Sequence, residues 1–286
     1  MPDPPRLNIV EVNNFVTRTL TGAVFVVVLI GAIVLNPYLA FGLFGVITVL
    51  GINEFYRLVS NAGVNANKIP GIISGLLVYT AFFLNVCGLM DNIVYIIAIP
   101  LLAFIFISEL YRKKDNPFQN ISFTILGVIY IAIPFALLLQ IGFSAIGIPN
   151  YDFKLIVGFF LLLWSSDTGA YLVGMSIGKH PLFPRISPKK SWEGFIGGIF
   201  FTMLVAYFVS KFAVALPLTD WLIIALIICV CGVWGDLIES MLKRSLQIKD
   251  SGNILPGHGG ILDRFDSVLL SAPIVFLYLH TKLLLF

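Results

Sequence analysis

Charged side chains are scarce in this sequence. Asp, Glu, Lys and Arg make up only 12% of its 286 residues, whereas 58% are hydrophobic. A soluble domain carries about 25% charged residues, and a chain this poor in charge cannot cover a water-soluble surface of its own size. The composition therefore excludes the soluble, disordered, fibrous and nucleic-acid-binding classes and indicates an integral membrane protein.

Cysteine is also scarce, and the three residues present, Cys87, Cys229 and Cys231, all lie in apolar runs. None has metal-ligand spacing with the three histidines, so we expect reduced small residues that face lipid or the core and not a disulfide framework. The alternating segments of about ten residues that a membrane β-barrel requires are missing from the sequence as well.

Long apolar runs, in contrast, are abundant. A helix that crosses about 30 Å of hydrocarbon needs roughly 20 apolar residues, and nine runs qualify: 19–36, 38–58, 71–90, 92–111, 121–143, 154–174, 192–212, 219–238 and 265–285. We predict an all-α polytopic membrane protein with about nine transmembrane helices. It forms one continuous membrane domain, with an N-terminal multi-span region over 1–150 and a C-terminal catalytic region over 151–286.

The basic residues predict the orientation of these helices. When the loops are assigned alternately to the two sides of the membrane, 15 of the 18 Lys and Arg residues fall on the side of the N-terminus. Only Lys154, Lys211 and Lys282 fall on the other side. Because cytoplasmic loops carry the excess of Lys and Arg, we expect the N-terminus inside and the C-terminus outside.

Acidic residues gather at the predicted cytoplasmic ends of the later spans. Asp236, Glu239 and Lys243 share one helix face, and Asp263 and Asp266 lie one turn apart where the last span begins. A Gly/Pro-rich segment between them allows the two helix ends to meet. Carboxylates beside Lys and Arg suit a hard divalent cation that shares its coordination with phosphate oxygens. The alternative is a solvated interfacial helix end.

Two further groups lie on the same predicted membrane face. Asp167 interrupts an apolar span, where a carboxylate is costly unless it binds a metal or pairs with a base on a neighbouring helix. Lys189 and Lys190 attract phosphate as point charges, or they serve only the positive-inside topology. Ser191 is placed to cap the next helix, whose N-terminus favours an anion. His258, in a Pro/Gly-rich stretch, is by itself typical of a turn residue.

A long signature in this region comprises Ser240–Arg244, Lys249–Asp250, Gly252, Leu255–Pro256, His258–Ile261 and Asp263–Asp266, with upstream motifs at Asp167–Tyr171 and Ser187–Gly194. These segments resemble the signature of the phosphatidate cytidylyltransferase (CDP-diacylglycerol synthase) family. The match is strong over about residues 160–270. The first 150 residues resemble the family only as a multi-span apolar bundle.

The resemblance implies an all-helical, homodimeric enzyme that joins CTP and phosphatidic acid to give CDP-diacylglycerol and pyrophosphate. It also implies Mg²⁺, with a potassium ion beside it, and its metal-binding aspartates match Asp236 and Asp263. The compact chain suits a bacterial inner membrane, with the active site facing the cytoplasm, membrane lipids as partners and no nucleic acid.

The predicted site residues fall into three overlapping sets. The catalytic set is Asp236, Asp263, Asp266, Lys243 and Arg264. The substrate-binding set is Lys189, Lys190, Ser191, Arg244, Lys249 and His258. The metal-binding set is Asp236, Asp263, Glu239 and Asp167.

Two other functions are alternatives. A CTP-dependent polyprenol kinase would pass the γ-phosphoryl group to an alcohol and would release CDP instead of pyrophosphate. A secondary transporter would use intramembrane acids for ion coupling, but transporters place such sites near the midplane of repeated halves. Here no internal repeat is visible, and the acids crowd one membrane face.

Overall fold

The computed structural model describes residues 9–90, 92–144, 151–248, 252 and 259–285, and most of these are helical. The helices are α1 (Ile9–Leu35), α2 (Pro37–Ser60), α3 (Lys68–Val86), α4 (Ile93–Leu110), α5 (Pro117–Gly127), α6 (Ile133–Ile141), α7 (Phe153–Ile177), α8 (Trp192–Phe212), α9 (Leu218–Ser245) and α10 (Leu262–Leu285). A π-helical turn, Val128–Ala132, joins α5 to α6. Two strands, β1 (Pro181–Phe183) and β2 (Ser187–Ser191), lie between α7 and α8.

Six helical segments in the described part of the chain are long and apolar enough to cross a membrane. They are Pro37–Ser60, Lys68–Val86, Pro117–Ile141, Phe153–Ile177, Trp192–Phe212 and Leu218–Ser245. Two shorter apolar helices cover Leu20–Leu35 and Ile96–Leu110. The prediction of an all-α polytopic membrane protein is confirmed except for the short hairpin of β1 and β2, whereas the total of nine spans and their orientation stay predictions.

Polar side chains start several of these helices by accepting backbone N–H groups that have no partner within the first turn. Asn36 Oδ1 accepts the N–H of Tyr38 at 2.7 Å ahead of α2. Ser191 Oγ accepts the N–H of Gly194 at 3.1 Å ahead of α8. The prediction that Ser191 caps the helix after it is therefore confirmed.

The predicted span 121–143 falls on one continuous helix that changes from α-helical to π-helical and back in the middle. Pro134 has no N–H group to donate to the carbonyl of Tyr130, so the regular α-helical ladder cannot continue past it. The chain passes this point through the π-helical turn Val128–Ala132. π-helical turns of this kind are frequent at functional sites, and this one precedes a segment, α6, that packs against α10.

The segment after α7, predicted as a loop over 179–191, contains an antiparallel hairpin instead. Pro181 pairs with Ser191, and Phe183 pairs with Ser187. Glu193, in the first turn of α8, holds the start of the hairpin, since its Oε2 accepts the N–H groups of Lys179 at 3.1 Å and of His180 at 3.2 Å. The hairpin thus gives the two lysines at its end a fixed position.

Helices α9 and α10 are joined by an ion pair at each end. At one end Lys243 Nζ lies 2.8 Å from Asp263 Oδ1. At the other end Lys282 Nζ binds Asp220 Oδ2, and the Tyr278 hydroxyl donates to Asp220 Oδ1 at 2.9 Å. Because α9 has 28 residues, it is about 42 Å long and exceeds the hydrocarbon thickness by more than two turns.

Candidate active site

A cavity of about 460 Å³ lies between α7, the hairpin, α8 and α9. Most of its lining is apolar or glycine. Its polar lining consists of Ser166, Asp167, Lys189, Lys190, Ser191, Asp236 and Ser267. Five of these seven belong to the predicted site, so the fold brings together residues that are up to 69 positions apart in the sequence.

The hairpin and α9 meet through an ion pair in the cavity wall. Lys190 Nζ lies 2.5 Å from Asp236 Oδ2, and Asp236 Oδ1 accepts a hydrogen bond from the Ser240 hydroxyl at 3.1 Å. Lys190 is half-buried, whereas Lys189 is exposed. The two lysines, equivalent by sequence, therefore differ in their surroundings, and only Lys190 makes this contact with the acidic face of α9.

Lys243 joins two carboxylates one turn farther along α9. Its Nζ lies 2.8 Å from Glu239 Oε2 and 2.8 Å from Asp263 Oδ1. Glu239 is only 1% exposed, so the alternative of a merely solvated helix end is wrong for this residue. The other oxygen of Glu239, Oε1, is buried and has no hydrogen-bond partner among the described residues.

The start of α10 is held by two carboxylates. Asp263 Oδ2 accepts the N–H of Gly260 at 2.8 Å, while the N–H groups of the next two residues are bound by Glu54 of α2. Gly259 has a φ of +85°, and a Cβ at this position would lie 2.6 Å from Asp263 Oδ2. The turn before α10 therefore needs glycine both for its left-handed backbone and for the approach of Asp263.

Sequence reasoning missed Glu54. The residue lies inside an apolar span, 207 positions before Ile261, and no local pattern connects it with the later motifs. The one signal that points to it is its charge, because an ionisable residue within a transmembrane segment is costly and is a candidate functional residue by default.

Asp266 lies where α10 packs closely against Gly235 of α9. Its Oδ1 accepts the N–H of Ser267 at 2.6 Å, and its backbone carbonyl packs against Gly235. A Cβ on Gly235 would lie 2.5 Å from that carbonyl oxygen and 3.2 Å from Ser267 Cα. Both are backbone atoms, which cannot move aside without shifting a helix.

We therefore expect Gly235→Ala to push α9 away from α10. The added methyl group should lower stability by about 1–3 kcal/mol through overpacking and should reduce turnover at least tenfold, because the carboxylates on the two helices lose their register (about 1 Å of misplacement costs about 100-fold). Thermal unfolding in detergent and turnover per folded molecule measure both effects. Gly232→Ala is the matched control for stability, since its Cβ would meet Ser267 Cβ at an ordinary 3.5 Å; its turnover is not compared, because Gly232 lines the cavity. Equal unfolding temperatures of the two variants would contradict the close approach.

The remaining predicted residues occupy the periphery of this arrangement or lie outside the described residues. Arg244 is exposed at the end of α9, and Arg264 is exposed in the first turn of α10. Lys249 and His258 lie outside the described residues. Asp167 lines the cavity, so it shares a wall with Lys190 and Asp236.

The donor set fits a magnesium ion that also binds substrate. In the described part of the chain, no group of three or more His, Cys, Asp and Glu residues forms a ready-made metal cage. Mg²⁺ seldom uses such a cage, because it is usually held by one or two carboxylates with water and substrate phosphates completing the shell. Asp236 in the cavity wall, Asp263 beside Lys243 and the buried Glu239 Oε1, which has no partner among the described residues, are oxygen donors of the required kind.

Carboxylates and lysines beside a cavity, in a bundle of helices of membrane-crossing length, are the groups that an integral membrane enzyme acting on phosphate-bearing substrates requires. A family comparison makes the class specific. The model of the cytidylyltransferase family matches residues 16–282, and the chain belongs to this family. The family expected from the sequence motifs is thus confirmed.

Named relatives agree with this assignment. The chain is 34% identical over 269 residues to the phosphatidate cytidylyltransferase of Bacillus subtilis (strain 168), covering 92% of this chain and 96% of that protein. It is 33% identical over 261 residues to the enzyme of the same name from Staphylococcus aureus (strain COL), covering 90% and 96%. The Staphylococcus epidermidis (strain RP62A) enzyme is 36% identical over 211 residues, covering 73% and 78%.

Proposed function

We propose that this protein transfers CMP from CTP to phosphatidic acid, giving CDP-diacylglycerol and pyrophosphate, as a step of phospholipid biosynthesis. The observation that carries the proposal is the pairing of Lys190 with Asp236 beside the cavity, in a chain that matches the cytidylyltransferase family over nearly its whole length. Both substrates carry phosphate, and lysines beside carboxylates recognise phosphate and the cation that accompanies it.

The reaction needs little from the protein except placement and charge. A phosphate oxygen of phosphatidic acid attacks the α-phosphorus of CTP in line, the bond from this phosphorus to the bridging oxygen breaks, and pyrophosphate leaves with the electron pair. The nucleophile is already an anion at neutral pH, so no general base is required. Lys190 and Lys243 hold the negative phosphates in place, with Lys189, Arg244 and Arg264 at the rim.

Asp236 and Asp263 are the residues we assign to Mg²⁺, with Glu239, Asp266 and Asp167 orienting them or adding a donor. When bound, such an ion would supply positive charge against the negative phosphates and the leaving pyrophosphate. The buried oxygen Glu239 Oε1 is the observation that favours a cation here. A potassium ion beside the magnesium stays a prediction.

We place the site on the cytoplasmic side of a bacterial inner membrane. CTP is a cytosolic polyanion, and phosphatidic acid presents its headgroup at the level of the helix ends. The Lys243–Asp263 pair lies at the end of α9 opposite to Asp220, and the distribution of basic residues assigns that end to the cytoplasm. Assembly as a homodimer stays a prediction.

Cysteine labelling tests the predicted orientation of the helices in the membrane. In a background without the natural cysteines, single cysteines at Lys113 and Lys189 should react with a membrane-impermeant maleimide only after the cells are opened. A cysteine at Lys211 should react in intact cells. A cytoplasmic Lys211 would show that the number of spans before it is wrong.

The two hairpin lysines should differ in their contribution to binding. Lys190→Gln removes the cation that contacts Asp236, and we expect the KM for CTP or phosphatidic acid to rise about tenfold, which corresponds to about 1.4 kcal/mol. Lys189→Gln is the matched control, because this lysine is exposed and an exposed charge contributes little, giving a rise of about twofold or less. Steady-state kinetics in mixed micelles measure both values. Unchanged KM values in a variant that carries both Lys189→Gln and Lys190→Gln would leave these lysines with a topological role only.

The acceptor and the soluble product together test the proposed reaction. The purified protein receives CTP and Mg²⁺ with either phosphatidic acid or a polyprenol as acceptor, and the water-soluble product is identified. We expect pyrophosphate with phosphatidic acid and no product with the polyprenol. Release of CDP with the polyprenol would support the kinase alternative instead.

A further inference from the structure

Glu54 is a buried carboxylate from the N-terminal half of the chain that contacts the first residues of α10. It is 2% exposed. Its Oε2 accepts the N–H of Ile261 at 2.8 Å, and its Oε1 accepts the N–H of Leu262 at 3.1 Å. Both carboxylate oxygens of an α2 residue are thus used to bind backbone groups of α10.

These contacts replace the ordinary cap of a helix. The first N–H groups of an α-helix have no acceptor within the helix, and a Ser, Thr, Asp or Asn side chain just before it usually accepts one of them. In α10 that position is Ile261, which has no acceptor in its side chain. Glu54 accepts from outside instead, and its negative charge is favourable at the positive end of the helix dipole.

Two carboxylates therefore bind three successive N–H groups at this point. Asp263 accepts from Gly260, and Glu54 accepts from the two residues after it. The same Asp263 side chain turns its other oxygen, Oδ1, to Lys243. The backbone held by Glu54 is thus the backbone that sets the position of Asp263 relative to α9.

The packing around Glu54 is close on both sides. Gly51, one turn earlier on α2, leaves room for the π-helical turn, since a Cβ there would lie 3.1 Å from Ile131 Cγ2, whereas Ile261 Cγ2 of the segment before α10 would be at an ordinary contact distance of 3.7 Å. Gly252 also lies against the carboxylate, because its Cβ would lie 3.2 Å from Glu54 Oε2. Glu54 thus contacts residues on both sides of 253–258, which lie within the connection from α9 to α10.

From this geometry we infer that Glu54 is a positioning residue for the transfer reaction. It fixes the N-terminus of α10 and so sets the distance between Asp263 and Lys243, without touching substrate itself. This inference rests on the proposed function for its kinetic consequence, whereas its structural consequence, a fixed start of α10, is measurable without turnover.

The test replaces Glu54 with Gln, which keeps the shape but leaves one of the two N–H groups facing an amide NH₂ that cannot accept. We expect kcat to fall about 30-fold, as about 1 Å of misplacement costs up to about 100-fold, while the KM values for CTP and phosphatidic acid change less than about twofold. Hydrogen–deuterium exchange in detergent should become faster in a peptide covering Gly259–Phe265 and stay unchanged in α7. Glu54→Asp, which restores the charge but is shorter, should recover part of kcat.

Glu109→Gln is the matched control. Glu109 is likewise buried, at 3% exposed, and its carboxylate accepts from Asn120 and Arg112. The Glu109→Gln substitution makes the same chemical change in a part of the molecule away from α10. We expect this variant to be less stable. Its kcat per folded molecule and its hydrogen–deuterium exchange at the start of α10 should stay unchanged.

Two results would overturn the inference. One is a Glu54→Gln variant with wild-type kcat and wild-type exchange over Gly259–Phe265. The other is faster exchange spread equally over all helices, which would mark a general loss of stability. If the wild-type protein itself forms no CDP-diacylglycerol, the proposed function fails, and the exchange measurement still decides whether Glu54 holds α10.

Discussion

Replacing Asp263 with Asn is expected to abolish turnover while the protein remains folded in detergent. Asn keeps the shape of the side chain and one oxygen that accepts the N–H of Gly260. The substitution removes the negative charge that lies 2.8 Å from Lys243 Nζ. We propose that this charge also binds Mg²⁺. Loss of a metal ligand costs several kcal/mol of transition-state stabilisation, so turnover should fall at least about 1000-fold.

The other end of the same helix pair supplies the control. Asp220→Asn removes an aspartate that also pairs with a lysine across α9 and α10, but far from the cavity. This variant should lose stability and retain its turnover per folded molecule. Near-normal turnover of Asp263→Asn at saturating Mg²⁺ would contradict the metal assignment.

The second large effect is expected for Lys243→Met. Lys243 is the common partner of Glu239 and Asp263, so its removal leaves two carboxylates facing each other without a cation. Breaking a buried ion pair from one side costs about 3–5 kcal/mol. We expect a lower unfolding temperature together with a loss of turnover of at least about 100-fold, since the lysine also holds Asp263 in position.

Lys243→Arg and Lys282→Met separate the two parts of this effect. Arg restores the charge with a planar, larger head group, so stability should recover more than turnover. Lys282→Met breaks the pair with Asp220 at the far end and should lower stability alone. If Lys243→Met and Lys282→Met lose turnover equally, the loss comes from helix packing and the role of Lys243 at the site is wrong.

The part of the site that lies on one helix was predictable from the sequence. Helical spacing places Glu239 and Lys243 one turn apart on one face, and the structure has them in contact at 2.8 Å. Apolar runs of sufficient length likewise predict the six helical segments of the described chain that are long and apolar enough to cross a membrane, because length and hydropathy are local properties of a sequence.

Of the contacts between elements, the sequence predicted only that the ends of α9 and α10 meet, as Lys243 and Asp263 do. The ion pair of Lys190 with Asp236 depends on a hairpin that fixes the lysine, and the sequence left its role open between phosphate binding and topology. Glu54 reaches Ile261 across 207 positions, and only the packing of α2 against α10 brings them together. Such contacts are set by the path of the backbone, which local periodicity does not contain.

The central claim is that this chain moves the α-phosphorus of CTP, and not the γ-phosphorus, onto phosphatidic acid. The most direct measurement gives the purified protein phosphatidic acid, Mg²⁺ and CTP labelled with ³²P at either the α or the γ position, and then separates lipid from water-soluble products. We predict label in CDP-diacylglycerol from the α-labelled nucleotide alone, and label in pyrophosphate from the γ-labelled one. Label in the lipid fraction from γ-labelled CTP, or no labelled lipid from either nucleotide, would contradict the account.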